Sequence, residues 1–288
     1  MIATSDPRPA PDILIVGHVT RDLVRGEERL GGAAAFAARA AVIFGMRSAL
    51  VTAAPEGMPL LKPLYDEPLI DIYLKPAPLP TTFTLDYSGK TRKIGLVARA
   101  PSLTPADIPV HLRQTPVAYV GPVAGECDAE LISSLEAQHV IVGAQGWLRG
   151  AAQDGTVVPA LTLDAVAPPH GIFALTLSEL DHPDVESLAK SFAESIPVVA
   201  VTRGARGATL FAEGTTYEVP ASPAIESDPT GAGDIFGLVL GLALHHGVPV
   251  FDAGRLASQA AARVVEGPGM GRLAVFAQSR DWRAVVGS

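Results

Sequence analysis

The sequence predicts an α/β protein of three layers: a mostly parallel central sheet flanked by helices, with a small β lid. Apolar runs of strand length alternate with alanine- or leucine-rich runs of helix length, the rhythm of strand–helix–strand units. The strand-like runs, such as DILIVG at 12–17 and SALVTA at 48–53, are apolar almost throughout, as strands covered on both faces are. One segment instead alternates apolar with polar residues, TTFTLDY and TRKIGLV around SGK, the pattern of strands with one wet face.

Residues 12–17 form the first strand and end in glycine. Residues 32–45, GAAAFAARAAVIFG, are dominated by alanine, the strongest helix former, and close on a glycine suited to a helix C-terminus. Residues 48–53 are the next strand. Residues 55–80 are proline-rich and lack a period, and the hairpin at 81–97 lies outside the main sheet; the lid is drawn from about 18–31 and 69–98. Strand 117–120, helix 128–138 and strand 139–143 resume the alternation. An insertion at 149–170 precedes strand 172–176, helix 183–194 and strand 197–202. RGARG turns the chain into a hairpin, 208–212 with 215–219, and helices at about 232–246 and 250–265 complete a single domain spanning 1–288.

The 288 residues suffice for a large core, and 48% apolar against 18% charged residues excludes a disordered chain. A formal net charge of -8 without basic runs excludes a nucleic-acid binder and means that any phosphate site must be built from local dipoles and a few placed cations. Cys127, the single cysteine, cannot form an intrachain disulfide and reads as a small buried hydrophobe. The opening MIATSDPRPAP has no apolar core of a signal peptide, and no run approaches the roughly 20 apolar residues of a membrane helix. A cytoplasmic protein, monomeric or homodimeric, is expected.

The chemistry concentrates in Asp228-Pro229-Thr230-Gly231-Ala232-Gly233-Asp234, which opens directly into the apolar helix IFGLVLGLALHHG. Gly231, Ala232 and Gly233 leave backbone N–H groups approachable at a helix N-terminus, where they lack internal acceptors and the macrodipole favours an anion. Asp234 in the first helical turn is placed to accept the proton of an attacking hydroxyl beside a phosphoryl group.

DPTGAGD resembles the C-terminal signature of the ribokinase-like, or PfkB, carbohydrate kinases. A second half-signature lies near the N-terminus: Gly17 to Asp22, then Leu30-Gly31-Gly32-Ala33-Ala34-Ala35-Phe36. A third, Val201 to Gly207, resembles the family's T-x-G-x-x-G turn. The resemblance spans residues 12 to about 275. It implies transfer of a phosphoryl group from ATP to a hydroxyl of a small cyclic polyol or sugar, with Mg2+ as phosphate counter-ion and a possible K+ site. It implies Asp234 as acid–base residue and Gly231, Ala232 and Gly233 as anion hole. Asp22, Gly31, Gly32, Phe36, Gln145 and Arg149 then face the acceptor, and Thr202, Gly204, Gly207 and Ser258 the nucleotide. Glu179 and Asp181 meet Mg2+ through water, and Asp228 and Thr230 the monovalent cation.

This sequence departs from the family pattern at three places. The N-x-x-E element is Ser178-Glu179-Leu180-Asp181, Phe36 replaces a common asparagine, and Gly143 replaces a common aspartate. The LGGAA-x-F element, the Val120-Gly121 to Gly125-Glu126 element and the spacing of Gln145 and Arg149 are closest to the myo-inositol kinase-like group. A nucleoside kinase of the same family and a catalytically idle ligand-binding relative are the alternatives. SGKT at 88–91 lacks the strand–helix setting and first glycine of a P-loop, GPGMG at 267–271 lacks dinucleotide spacing, and His245-His246 has no third metal ligand nearby in sequence.

Overall fold

The computed structural model describes residues 9–86, 93–161, 168–267 and 270–287. β1 (Ile13–Val16), buried at every position, leaves a large sheet and runs into β2 (Thr20–Val24) and β3 (Glu27–Gly31) of a smaller one before the chain returns through α1 (Ala33–Ile43). β4 (Ser48–Ala54), the short α2 (Lys62–Tyr65) and β5 (Ile70–Pro76) follow, and β6 (Thr81–Asp86) and β7 (Lys93–Ala98) revisit the small sheet. β8 (Val117–Val120), α3 (Ala129–Ser133) and β9 (His139–Gly143) resume the alternation, and β10 (Arg149–Ala151) pairs with β11 (Val157–Pro159) as an antiparallel arm. Then come β12 (Ile172–Ser178), α4 (Val185–Phe192), β13 (Val198–Thr202), β14 (Ala208–Ala212) and β15 (Thr215–Val219). α5 (Ala232–His245), α6 (Val250–Val265), α7 (Leu273–Ala277) and α8 (Arg280–Val286) close the chain.

The large sheet runs β15-β14-β13-β12-β9-β8-β1-β4-β5, parallel from β5 to β13 and antiparallel at the β14–β15 hairpin. Successive strand residues point to opposite faces, so the continuous apolar runs feed two cores at once. Ile13 and Ile15 join α1, α5 and α6 on one side, while Leu14 and Val16 join α3, α4 and Trp147 on the other. That division is the three-layer sandwich. Among the described residues no helix is long and apolar enough to cross a membrane.

The small sheet, β3-β2-β6-β7, has β2 and β6 parallel and its outer pairs antiparallel. Residues 70–76, expected within the lid, instead form the edge strand of the large sheet, in parallel register with all seven residues of β4. The helix expected over 128–138 is also shorter. Asp128 caps it by accepting from Leu131 N–H at 2.9 Å, but Glu136 N–H turns to Arg113 O at 2.8 Å and draws the chain away after Ser134. The turn at 88–91 lies outside the described residues.

Candidate active site

α5 begins where the sequence places it. Gly231 is its N-cap, with φ 83° in the left-handed region that side chains disfavour, and a Cβ there would stand 2.5 Å from Phe36 Cδ1. Ala232, Gly233 and Asp234 occupy the first turn, whose N–H groups have no intrahelical acceptor. Ala232 N–H is directed to Pro229 O at 3.3 Å, so one of the three groups expected to form the anion hole is already engaged. A Cβ on Gly233 would meet nothing within 4 Å, so open space lies above it. Asp228 Oδ1 accepts from Thr230 N–H at 3.0 Å and holds the loop in its turn, while Ser227 and Asp228 N–H tie it to Val265 O.

Asp22 lies on β2, mostly buried, and accepts from Thr20 Oγ1 at 2.7 Å. Gly31, on neighbouring β3, is required by that carboxylate: any Cβ there would collide with Asp22. Gly32, with φ 93°, admits the His18 carbonyl in the same way. The glycine pair thus makes room first for the protein's own groups. α1 starts immediately after it, and one turn later places Phe36 against Gly231. The two half-signatures, about 200 residues apart in sequence, are in contact through this ring.

Gln145, Arg149 and Asp181 form a third cluster at the carboxyl ends of the neighbouring strands β9 and β12. Gln145 Nε2 reaches Asp181 Oδ1 at 3.4 Å, and Ser178 N–H donates to Asp181 Oδ2 at 2.8 Å. Burial pushes the Asp181 carboxyl up from its usual range, against the opposing effects of the Arg149 charge and these hydrogen bonds. Arg149 also lies 6.0 Å from the Phe83 ring centroid, linking the arm to the small sheet. Glu179 is ion-paired with Arg206. Among the described residues no group of three or more potential ligand side chains could hold a metal directly.

In the β13–β14 turn, Thr202 Oγ1 donates to Leu177 O at 3.1 Å, and Gly207 lies so close to Val219 O that a Cβ would collide. Arg203 bonds Thr209 Oγ1 at 2.6 Å and pairs with Glu186. Gly204, with a positive φ, stands at the exposed tip. Ser258 serves the fold: its hydroxyl donates to Pro220 O at 3.0 Å and accepts from Ser222 N–H at 2.9 Å.

The comparisons with known proteins agree with this geometry. Residues 164–274, which contain the turn and the α5 loop, match the model of the pfkB family carbohydrate kinases. Over that stretch the chain resembles the pfkB family. It is 27% identical over 293 aligned positions to an inositol 3-kinase of Zea mays, covering 89% of this chain and 72% of that one. A pyrophosphate-dependent kinase in the ribokinase family, solved with a pyrophosphate analog and myo-inositol, superposes with a TM-score of 0.78 at 18% identity, over 92% of this chain and 99% of that chain. Arabidopsis thaliana ribokinase, solved with ribose and ATP, superposes with a TM-score of 0.68 at 16% identity, over 94% of this chain and 100% of that chain.

Three buried residues were given no role by the sequence reading, although two of them, His18 and Glu126, stand inside its motifs. Glu126 is fully buried and accepts from the N–H groups of His18 at 2.9 Å, Val123 at 3.0 Å and Ala124 at 2.7 Å, binding the approach to the small sheet to the loop after β8. His18, also fully buried, spans Thr81 Oγ1 at 2.7 Å and Pro101 O at 3.0 Å. Burial lowers its pKa, although the Glu126 charge acts in the opposite sense. The third is Tyr119, whose signal is a phenol within the otherwise apolar strand VAYV, since a buried tyrosine hydroxyl normally needs a partner.

Proposed function

We propose that this protein transfers a phosphoryl group to a hydroxyl of a small cyclic polyol of the inositol type, with Asp234 accepting the proton of that hydroxyl. The observation that carries the reading is the contact of Phe36 with Gly231, which joins the loop bearing Asp234 to the α1 start that neighbours Asp22. Asp22 supplies a carboxylate able to take two adjacent hydroxyls. The Gly233 N–H group, with the helix dipole behind it, offers a fixed donor to the moving phosphoryl oxygens. In a loose transition state the proton moves late, so placement of the weak base matters more than its strength. Phe36 braces the loop and adds an apolar wall suited to the C–H face of a ring.

In this reading ATP is the donor, and Mg2+, when bound, neutralises phosphate charge, with Glu179 and Asp181 meeting its waters. Asp228 and Thr230 are the positions for a monovalent cation beside the loop. Thr202 and Gly204 line the approach of the nucleotide. The small sheet serves as a lid that excludes water from the reacting groups.

The test is product formation by the purified protein against a panel of inositols, pentoses, hexoses and nucleosides, each with ATP and with pyrophosphate as donor. Pyrophosphate belongs in the panel because a similar structure is that of a pyrophosphate-dependent kinase. Phosphorylation of an inositol, with stoichiometric donor cleavage, is the expected result. Preference for a nucleoside would replace the acceptor class, and no transfer to any acceptor would remove the reading.

A further inference from the structure

Tyr119 lies on β8 with its ring wholly buried on the α5 side of the large sheet. Two glycines make room for it. A Cβ on Gly121 would stand 3.0 Å from the ring's Cε1, and one on Gly143 would stand 3.1 Å from the phenol oxygen. That oxygen is sealed from solvent and makes no hydrogen bond of ordinary geometry to any described group. The phenol lies beneath the start of α5: the Cβ position of Gly143 that it crowds is 3.9 Å from Thr176 Oγ1, and that hydroxyl is 2.7 Å from the Cβ position of Gly237, one helical turn after Asp234. Burial, and after it the neighbouring Asp234, raise the phenol pKa above its usual value. A phenylalanine would fill the same space without leaving a buried donor short of a partner, so the oxygen adds nothing to packing.

We propose that Tyr119 is a positioning residue for phosphoryl transfer: during turnover its phenol donates a hydrogen bond to the Asp234 carboxylate, keeping it ionised and aimed at the acceptor hydroxyl. Gly143, where a side chain would press on the phenol, is then the partner of this arrangement. The inference rests on the reading of Asp234 as proton acceptor.

The test is Tyr119→Phe, which keeps the ring. The expected result is a kcat lower by roughly 10- to 100-fold, the range for a hydrogen bond to a charged group, with acceptor KM little changed. The acidic limb of the kcat/KM profile should move to higher pH, because the ionised carboxylate has lost a donor. Thermal stability should be equal or higher. A kcat within twofold of wild type with an unmoved acidic limb would overturn the proposal, as would a loss of kcat that merely follows a loss of stability. A second measurement is independent of activity. The Tyr119 Cζ resonance of 13C-tyrosine-labelled protein, assigned by its disappearance in Tyr119→Phe, should shift as acid titrates Asp234, and Asp234→Asn should abolish the shift. A resonance indifferent to Asp234→Asn would overturn the proposal even if phosphoryl transfer is confirmed. A shift seen without any transfer would keep the contact and remove only the reading of Asp234.

Discussion

Phe36 and Gly231 are locked together: the ring occupies the place where any side chain at position 231 would begin, at 2.5 Å from its Cβ. Gly231 is therefore constrained twice, by this contact and by its φ of 83°. Gly231→Ala should be destabilising by about 1–2 kcal/mol from the left-handed backbone alone, with roughly 1–3 kcal/mol more from overpacking against the ring. Phe36→Ala made in the same chain should relieve the second part and leave the first. Urea unfolding of the two single variants and the double variant measures this, and strict additivity would mean that the contact carries no energy.

Asp234→Asn retains the shape of the first turn of α5 and removes the proposed proton acceptor. Turnover should fall by about 10²- to 10⁴-fold while donor affinity changes little. Turnover within a few-fold of wild type would place the base elsewhere.

Gly233→Val is a cleaner probe of the anion site than substitution of Gly231, because a Cβ there meets no protein atom within 4 Å. The variant should fold with an unchanged circular dichroism spectrum and melting temperature, yet lose transfer, since its side chain enters the space above the donor N–H groups. An active, folded Gly233→Val would show that the phosphates lie away from this loop.

Asp22→Ala removes a carboxylate that, in the proposed function, contributes hydrogen bonds of about 1.5–3 kcal/mol each to an acceptor hydroxyl. Acceptor KM should rise roughly ten- to a hundredfold for each bond lost, with donor binding spared. Loss of donor binding instead would reverse the two halves of the site.

At the opposite ends of the parallel strands, His139 Nδ1 stands 2.8 Å from His245 Nδ1, with His246 and Phe173 against the pair. Such a contact needs one N–H and one lone pair, so it exists only while at least one ring is neutral. Burial lowers the pKa of both rings, and the neighbouring His139 and His246 lower that of His245 further. With folded values below the unfolded value near 6.5, the unfolded chain binds more protons as pH falls. Stability should hold above that pH and decline below it, through the lowered folded values. Unfolding free energies from pH 7.5 to 5 should show this slope, and His245→Gln should flatten it; an equal slope in the variant would assign the decline to other groups.

The parallel sheet was legible in the sequence because its strands are buried on both faces, which leaves unbroken apolar runs such as residues 12–17 and 139–143. β5 was not legible. Its residues Ile70–Pro76 are only partly buried at a sheet edge within a proline-rich stretch, so neither period nor composition marks them. The loop 228–234 was legible because small residues before an apolar helix have few other uses.

The sequence by itself determined the fold class and the position of the small-residue loop 228–234 at the start of α5. Those features are local: each depends on residues within one turn or one strand of each other. Only the tertiary structure decided what the glycines make room for, that Phe36 bears on Gly231, that Gln145 and Arg149 converge on Asp181, that Ser258 is occupied in holding residues 220–222, and that a phenol on β8 lies in the field of Asp234. These are contacts between residues from about ten to nearly 200 positions apart, set by which strands and helices the fold makes neighbours, and the spacing of residues along a chain carries no record of that order.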